Sequence, residues 1–423
     1  MKYTLKHKDV NIAIFDLKYN NIQQLIIDKE QISKLPLPLK RLVKDGYKDE
    51  FVEKETDEYY LINEDGCILF DSWLDDRDIP VTRYNYDAYI KKDDTPRKWL
   101  LNNNGFSFND CYWFENEKEE LSWSDIVNRL NDLDIYYSVK DETGHYKKHN
   151  TTLGGQLEKF WYKEDDNVML CKKIDMHYDI LIAREIIASL IYEKQGYSNY
   201  CKYNFIYDTK GNIAGCSCKC FTDTEKELIT AYDLLEEYNM TQLDDVWERI
   251  VKLAYNYGLP EFKTKNYLDI QTMVDYIITN RDRHQGNIGF IRDTNTLNIL
   301  KPAPIYDNGS SKYMEGQYPE SFSNTTVNGL YKTEIECLQH VRNFSLLKID
   351  LLPTKEEIKN ILNKCRGLTE KRINELLSIY DEKIEFLKYL QYEYDRGENI
   401  SEVLERCKSC KKQEKDFIDF SLD

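Results

Sequence analysis

Apolar and polar positions divide the chain into three stretches of different rhythm. Over residues 1–150 the apolar runs are short. Residues 12–15 and 59–62 are strand-like, and Asn63-Glu64-Asp65-Gly66 reads as a turn that folds 67–70 back as a hairpin. Residues 121–126 open a helical pattern with Ser122 or Ser124 as its cap. The polar stretch 138–150 breaks the rhythm and marks a boundary. Beyond it a glycine turn (151–156) precedes strand-like runs at 159–163 and 168–172. Ile182, Ile186, Leu190 and Ile191 then recur at helical spacing, and a further hairpin spans 204–214. From about 224 helical spacing dominates. Leu268, Ile270, Met273, Val274, Ile277 and Ile278 form one apolar stripe that stops at Asn280. Thr354-Lys355-Glu356-Glu357 has the spacing of a capping box, and a stripe from Ile373 to Leu390 follows.

These patterns predict an α+β chain in three parts: an α+β N-terminal domain over 1–150, a small β-rich lobe over 151–221 and a large helical lobe over 222–423. A chain of 423 residues is long enough for two or three packed units.

The stretch that points to chemistry lies where the apolar helix stops, at Thr279-Asn280-Arg281-Asp282-Arg283-His284-Gln285-Gly286-Asn287. Ile288 and Phe290 then return the chain to the core. Twenty residues beyond Asn287, an apolar run ends in Pro304-Ile305-Tyr306-Asp307-Asn308-Gly309. Phosphoryl transfer from ATP accounts for these residue types. The phosphates are anionic, and Mg²⁺, which offsets that charge, takes oxygen ligands and few protein carboxylates. Asn287 and Asp307 suit it as an amide and a carboxylate. Asp282 is placed to orient an attacking hydroxyl and accept its proton, and five-residue spacing lets one loop serve nucleophile and metal together. His284 is a second catalytic candidate or a brace of the loop, and Arg281 and Arg283 are expected to hold it.

Asp-Arg-His-x-x-Asn resembles the catalytic loop of the HipA-like kinases and of the phosphatidylinositol 3- and 4-kinases. Pro-Ile-Tyr-Asp-Asn-Gly resembles the Mg²⁺-binding segment of HipA-like kinases. Upstream, Gly154-Gly155-Gln156-Leu157-Glu158-Lys159 looks like their phosphate loop, and 168–172 looks like the strand that carries the phosphate-contacting lysine. Alternate strand residues face opposite ways, so only one of Lys172 and Lys173 reaches the phosphates; Lys172 is favoured. Glu185, in the helix that follows, stands where its ion-pair partner is expected. In the N-terminal part, Trp73-Leu74-x-x-Arg77-x-Ile79-Pro80-x-x-Arg83 and 109–113 look like the leader of stand-alone bacterial HipA-like and CtkA-like kinases. The resemblance implies a bilobal protein-kinase-like fold, a serine/threonine protein kinase using ATP and Mg²⁺, and ATP contacts from Gly154, Gly155, Gln156, Lys159, Lys172 and Glu185. It also implies a protein substrate and a small helix-turn-helix partner or antitoxin. Hydroxyls at Ser310, Ser311, Ser321, Ser323, Thr325 and Thr326, and at Thr151 and Thr152, are candidate autophosphorylation targets. The alternatives are a phosphatidylinositol or small-molecule kinase, and a nucleotide-binding pseudokinase acting as a regulatory module.

Composition narrows the partners. A net charge of −17 argues against a broad nucleic-acid surface and leaves room only for a local basic site. No apolar run approaches the length that spans a bilayer, and residues 1–9 lack an apolar signal core, so the expected location is cytoplasmic without membrane attachment. Eleven cysteines, an odd and scattered set, suit a reducing compartment. Cys216, Cys218 and Cys220 alternate as a buried strand face would, and the lone Cys407–Cys410 pair has no second ligand pair for zinc nearby.

Overall fold

The computed structural model describes residues 1–47, 58–90, 94–128, 133–146, 152, 154–174, 179–238, 245–309 and 326–407. Strands β1 (Lys2–His7), β2 (Val10–Lys18), β3 (Asn21–Asp28), β4 (Tyr59–Ile62) and β5 (Tyr112–Asn116) form an antiparallel sheet in the order β4-β3-β2-β1-β5. Helices α1 (Arg41–Lys44), α2 (Glu64–Arg77), α3 (Pro96–Asn102) and α4 (Trp123–Asn128) complete the leader. Phe15, Phe70, Leu74 and Phe114 are buried together where α2 crosses the sheet.

The expected hairpin at 63–70 is instead the start of α2. The Asn63 side chain accepts from Gly66 N at 3.0 Å and so caps a helix rather than closing a turn. Glu64 and Asp65 fall in the first turn, where the helix dipole favours negative charge. Gly66 is required by packing: a Cβ there would lie 2.3 Å from Ile62 Cγ2. A residue of poor helix propensity thus sits in the helix because it lets α2 approach β4.

The two leader motifs meet in space. Arg77 binds Asp110 through two hydrogen bonds, of 2.7 and 3.1 Å, and also donates to the carbonyls of Gly105 and Tyr112. This joins the end of α2 to the entry of β5.

The small lobe is a four-stranded antiparallel sheet, ordered β6 (Glu158–Glu164), β7 (Asn167–Lys173), β9 (Ile213–Lys219) and β8 (Asn204–Tyr207), with α5 (Asp179–Lys194) between β7 and β8 in the chain. Cys216 and Cys218 are buried in β9, as the alternation predicts, whereas Cys220 lies just beyond the strand and is only partly buried; no disulfide joins the cysteines of the described residues. Cys410 lies outside the described residues.

The large lobe holds a second departure from the sequence reading. A three-stranded antiparallel sheet of β10 (Lys226–Thr230), β11 (Gly289–Asp293) and β12 (Ile299–Pro302) stands among the helices. Around it lie α6 (Ala231–Glu236), α7 (Val246–Asn256), α8 (Glu261–Ile278), α9 (Glu334–Gln339), α10 (Lys355–Leu362) and α11 (Glu370–Asp395). The capping boxes of α9 and α10 are closed in both directions. No helix among the described residues is long and apolar enough to cross a membrane.

The leader is packed into both lobes. Ile79, Tyr89, Val139 and Tyr146 share a core with Phe160, Tyr162 and Cys171 of β6 and β7. On the large lobe, Arg292 of β11 pairs with Glu227 of β10 at 2.7 Å and donates to the Tyr112 hydroxyl of β5 at 3.1 Å. Leu228 N donates to Asn109 O at 2.7 Å, continuing the contact along the backbone.

Candidate active site

Register in the β6–β7 hairpin places Lys159 directly opposite Lys172, and Glu158 opposite Lys173. Partners across a strand pair share a face, so Lys159 and Lys172 point one way and Glu158 and Lys173 the other. Lys173 Nζ lies 3.7 Å from Glu158, and Lys172 is the lysine that enters the cleft. Two like charges side by side repel unless a counter-charge is supplied. Asp307 supplies it: its Oδ1 is 2.8 Å from Lys172 Nζ and its Oδ2 is 3.9 Å from Lys159 Nζ. Lys172 also binds Glu185 of α5, in a pair that is buried on both sides.

The charge states follow. Burial opposes ionisation of Asp307, but Lys172 and Lys159 outweigh it and hold its carboxyl well below the usual range. Burial would likewise lower Lys172, but Asp307 and Glu185 lift it well above the ordinary lysine value. Lys159 faces weaker compensation. Burial, only partly offset by Asp307 and reinforced by Lys172, lowers it to about 8.

Asp307 adopts a left-handed backbone, with φ of 53°. For a residue other than glycine this is a strained conformation of a kind that collects at functional sites. Its neighbour Asn308 fixes the turn, donating to Glu185 Oε2 from its backbone N at 2.8 Å and its Nδ2 at 3.2 Å. The sequence reading left Asn308 without a role. One carboxylate of α5 therefore holds both the lysine and the turn that carries Asp307.

The loop after α8 is fixed just as firmly. Thr279 ends the helix in the left-handed region, with φ of 55°. Lys383 of α11 reaches that end and donates to Tyr276 O at 2.8 Å, Thr279 Oγ1 at 2.9 Å and Glu334 Oε1 at 2.7 Å, so each of its three donors has an acceptor. Arg283 is buried and binds Asp275 at 2.8 and 3.0 Å. It also donates to Asn287 O at 2.8 Å, to Tyr306 O at 2.6 Å and to Asn308 Oδ1 at 2.9 Å. One guanidinium thus ties the Asp282 loop to the Asp307 turn, the holding role expected of it.

Within the loop, Asn287 Nδ2 donates to Asp282 O at 2.9 Å, which leaves its amide oxygen available. His284 Nδ1 accepts from Gly286 N at 3.1 Å and caps the short turn Gln285–Asn287, so this ring nitrogen braces the loop. Asp282 is half-buried, and its Oδ1 accepts from Asn328 Nδ2 at 2.7 Å. Asn328 lies 46 residues further on, and nothing in the local sequence marks it.

Asp282, His284, Asn287, Asp307, Lys159, Lys172, Gly154, Gly155 and Gln156 line one cavity of about 990 Å³ between the lobes. Glu185 stands behind Lys172. The glycine turn curls over Lys159: Gly155 has φ of 87°, and a Cβ on it would meet Lys159 Nζ at 2.8 Å. The leader holds this turn from behind. Tyr84 N donates to Gln156 O at 2.7 Å, and the Tyr89 hydroxyl bridges Lys159 N and O at 2.8 and 2.6 Å. Thr152 Oγ1 donates to Phe106 O at 3.2 Å. Thr151, Ser310, Ser311, Ser321, Ser323 and Thr325 lie outside the described residues.

The donor set suits a hard divalent cation. Asp307 offers a charged oxygen and Asn287 a neutral one on the same cavity, a sparse pair of the kind Mg²⁺ uses when phosphates and water complete its octahedron.

No protein-family model matches the chain, and no curated protein matches it in sequence. Solved structures do match. The chain is similar to the crystal structure of a Helicobacter pylori proinflammatory kinase, CtkA, at 18% identity and a TM-score of 0.41, over 57% of this chain and 94% of that one. It is also similar to the HipA chain of a Shewanella oneidensis MR-1 toxin–antitoxin complex of HipA, HipB and operator DNA. That match has 11% identity and a TM-score of 0.47, over 95% of this chain and 99% of the other. Both scores fall below 0.5.

Proposed function

We propose that this chain is an ATP- and Mg²⁺-dependent kinase that transfers the γ-phosphoryl group of ATP to a serine or threonine hydroxyl of a protein. The observation that carries this is the Glu185–Lys172–Asp307 chain of charges, buried at Glu185 and Lys172, facing the Asp282–Asn287 loop across one cavity. Every charge needed for phosphoryl transfer then has a holder. Lys172 and Lys159 meet the phosphate oxygens. Asn287 and Asp307 would hold Mg²⁺, which supplies charge neutralisation when bound. Asp282 orients the acceptor hydroxyl and takes its proton as the hydroxyl oxygen bonds to the γ-phosphorus and the bond to the departing ADP oxygen breaks. Arg283 keeps the two halves of the site in register.

Incubation with labelled ATP and Mg²⁺ tests this, with both self-labelling and loss of ATP followed. The expected result is transfer by the wild type that Asp282→Ala and Asp307→Ala each abolish. Nucleotide binding without turnover in the wild type would replace the kinase by a nucleotide-sensing module.

A further inference from the structure

The two lysines that stand side by side in the cleft are held in different ways. Lys172 is fixed through its ammonium, which binds Glu185 and, at 2.8 Å, Asp307. Among the described residues, Lys159 Nζ has only the longer contact with Asp307 Oδ2, at 3.9 Å. A flexible four-carbon stem held so loosely at its tip takes its place from its backbone. What fixes the backbone of Lys159 therefore fixes the second cation of the site.

The leader does this. Strand β6 lies at the edge of the small-lobe sheet, and an edge strand presents main-chain groups that its own sheet leaves unpaired. At Lys159 one side chain takes both of them: the Tyr89 hydroxyl accepts from Lys159 N at 2.8 Å and donates to Lys159 O at 2.6 Å. It stands in for the main chain of a neighbouring strand. Four residues along the same strand, Lys163 N donates to Asp134 O at 2.8 Å, so the leader closes this edge at two points. Tyr89 is itself confined. It is 1% exposed, with the Tyr146 ring 4.5 Å from its own, centroid to centroid, and the Arg83 guanidinium 5.0 Å from its centroid. Burial outweighs the pull of Arg83 and pushes its hydroxyl up to about 12, so the proton donated to Lys159 O stays in place.

We propose that Tyr89 is a positioning residue for nucleotide binding, and that through its hydroxyl the leader sets how firmly Lys159 grips the phosphates. The proposal rests on the ATP-binding part of the reading above and gives the leader a role in it. Tyr89 does not line the cavity, so it acts through Lys159 and not on the nucleotide. Tyr89→Phe keeps the ring and its packing and removes only the hydroxyl. Lys159 N and O then lose the partner they share, and main-chain groups left unpaired in a buried place are costly enough to move the strand until they find others. Movement of Lys159 loosens a contact made to bound ATP throughout the reaction, which raises KM and spares kcat.

The test is binding of a fluorescent, non-hydrolysable ATP analogue with Mg²⁺ to the full chain, with ATP turnover measured in parallel. Tyr89→Phe is expected to weaken binding about tenfold and to raise KM for ATP to match, with kcat within about twofold of the wild type. Tyr146→Phe is the structural control. It also loses a buried hydroxyl, one bound to Glu158, which lies on the strand face turned away from Lys159. It is expected to lower Tm at least as much as Tyr89→Phe and to leave affinity unchanged. In a Lys159→Met background Tyr89→Phe is expected to weaken binding no further, because the group it acts through is gone. Unchanged affinity in Tyr89→Phe, equal losses in Tyr89→Phe and Tyr146→Phe, or a loss that adds to that of Lys159→Met each overturns the proposal. Analogue binding without turnover sinks the kinase reading and leaves these comparisons intact. A wild type that binds no nucleotide sinks both.

Discussion

Asn328 holds Asp282. Its Nδ2 donates to Asp282 Oδ1 at 2.7 Å, while its backbone N donates to Arg281 O at 2.7 Å, so the segment after 310–325 is laced to the Asp282 loop by side chain and main chain together. The Asp282 carboxylate is therefore oriented by a residue remote from it in sequence.

Asn328→Ala removes one hydrogen bond to a charged group, an interaction of about 1.5–3 kcal/mol. Expected is a fall in kcat of about tenfold or more with KM for ATP unchanged, because Asn328 orients the carboxylate proposed to accept the proton and leaves Lys159 and Lys172 untouched. Asn328→Asp places a second carboxylate beside the first and is expected to cost more. A rise in KM for ATP with kcat intact would contradict this role.

Lys172→Met would leave the buried Glu185 without its cation and Asp307 without its nearer one. Breaking a buried pair from one side costs about 3–5 kcal/mol. Urea unfolding is expected to show a loss of that order, together with loss of ATP turnover. Lys172→Met combined with Glu185→Gln should recover part of the stability and none of the activity. Equal stabilities of the single and double variants would count against the pairing.

Lys159 makes the site sensitive to alkali. Its folded-state pKa is about 8 against an ordinary value of 10.5. Between these values the unfolded chain binds more protons, so this group raises stability as pH rises through that window. Anion binding has the opposite sign, since the neutral amine no longer attracts phosphate. Titration with a non-hydrolysable ATP analogue is expected to show weakening affinity above about pH 8, and Lys159→Arg, charged throughout, should remove the dependence.

The Arg292–Glu227 pair joins the sheet of the large lobe to Tyr112 of the leader. Arg292→Met leaves Glu227 charged and buried, and a loss of about 3–5 kcal/mol is expected from chemical denaturation. Arg292→Met with Glu227→Gln should be milder. Tyr112→Phe removes two hydrogen bonds, the one accepted from Arg292 and the one donated to Lys34 O, and should cost about 1–3 kcal/mol.

Local periodicity was enough to outline α5, α8, α10 and α11, because a helix that buries one face must repeat its apolar residues every three or four positions. The same logic singled out Asp282, Asn287 and Asp307, which sit where apolar runs stop and polar residues persist. It also allowed only one of Lys172 and Lys173 into the cleft, by strand alternation; the fold puts Lys172 there and Lys173 beside Glu158. It failed at 63–70, where a turn signal and a helix cap use the same residue types. Asn63 became a cap because Phe70 and Leu74 had a sheet to pack on, and Gly66 was accommodated because Ile62 left no room for a Cβ. The β10–β11 pairing was hidden for a related reason: Glu227 and Arg292 are register partners that lie 65 residues apart in the chain. Periodicity records that a face is buried and carries nothing about what covers it. Asn308 on Glu185, Asn328 on Asp282 and Tyr89 on the Lys159 backbone are long-range pairings. Only the folded chain, where burial makes each unpaired polar group costly, selects them.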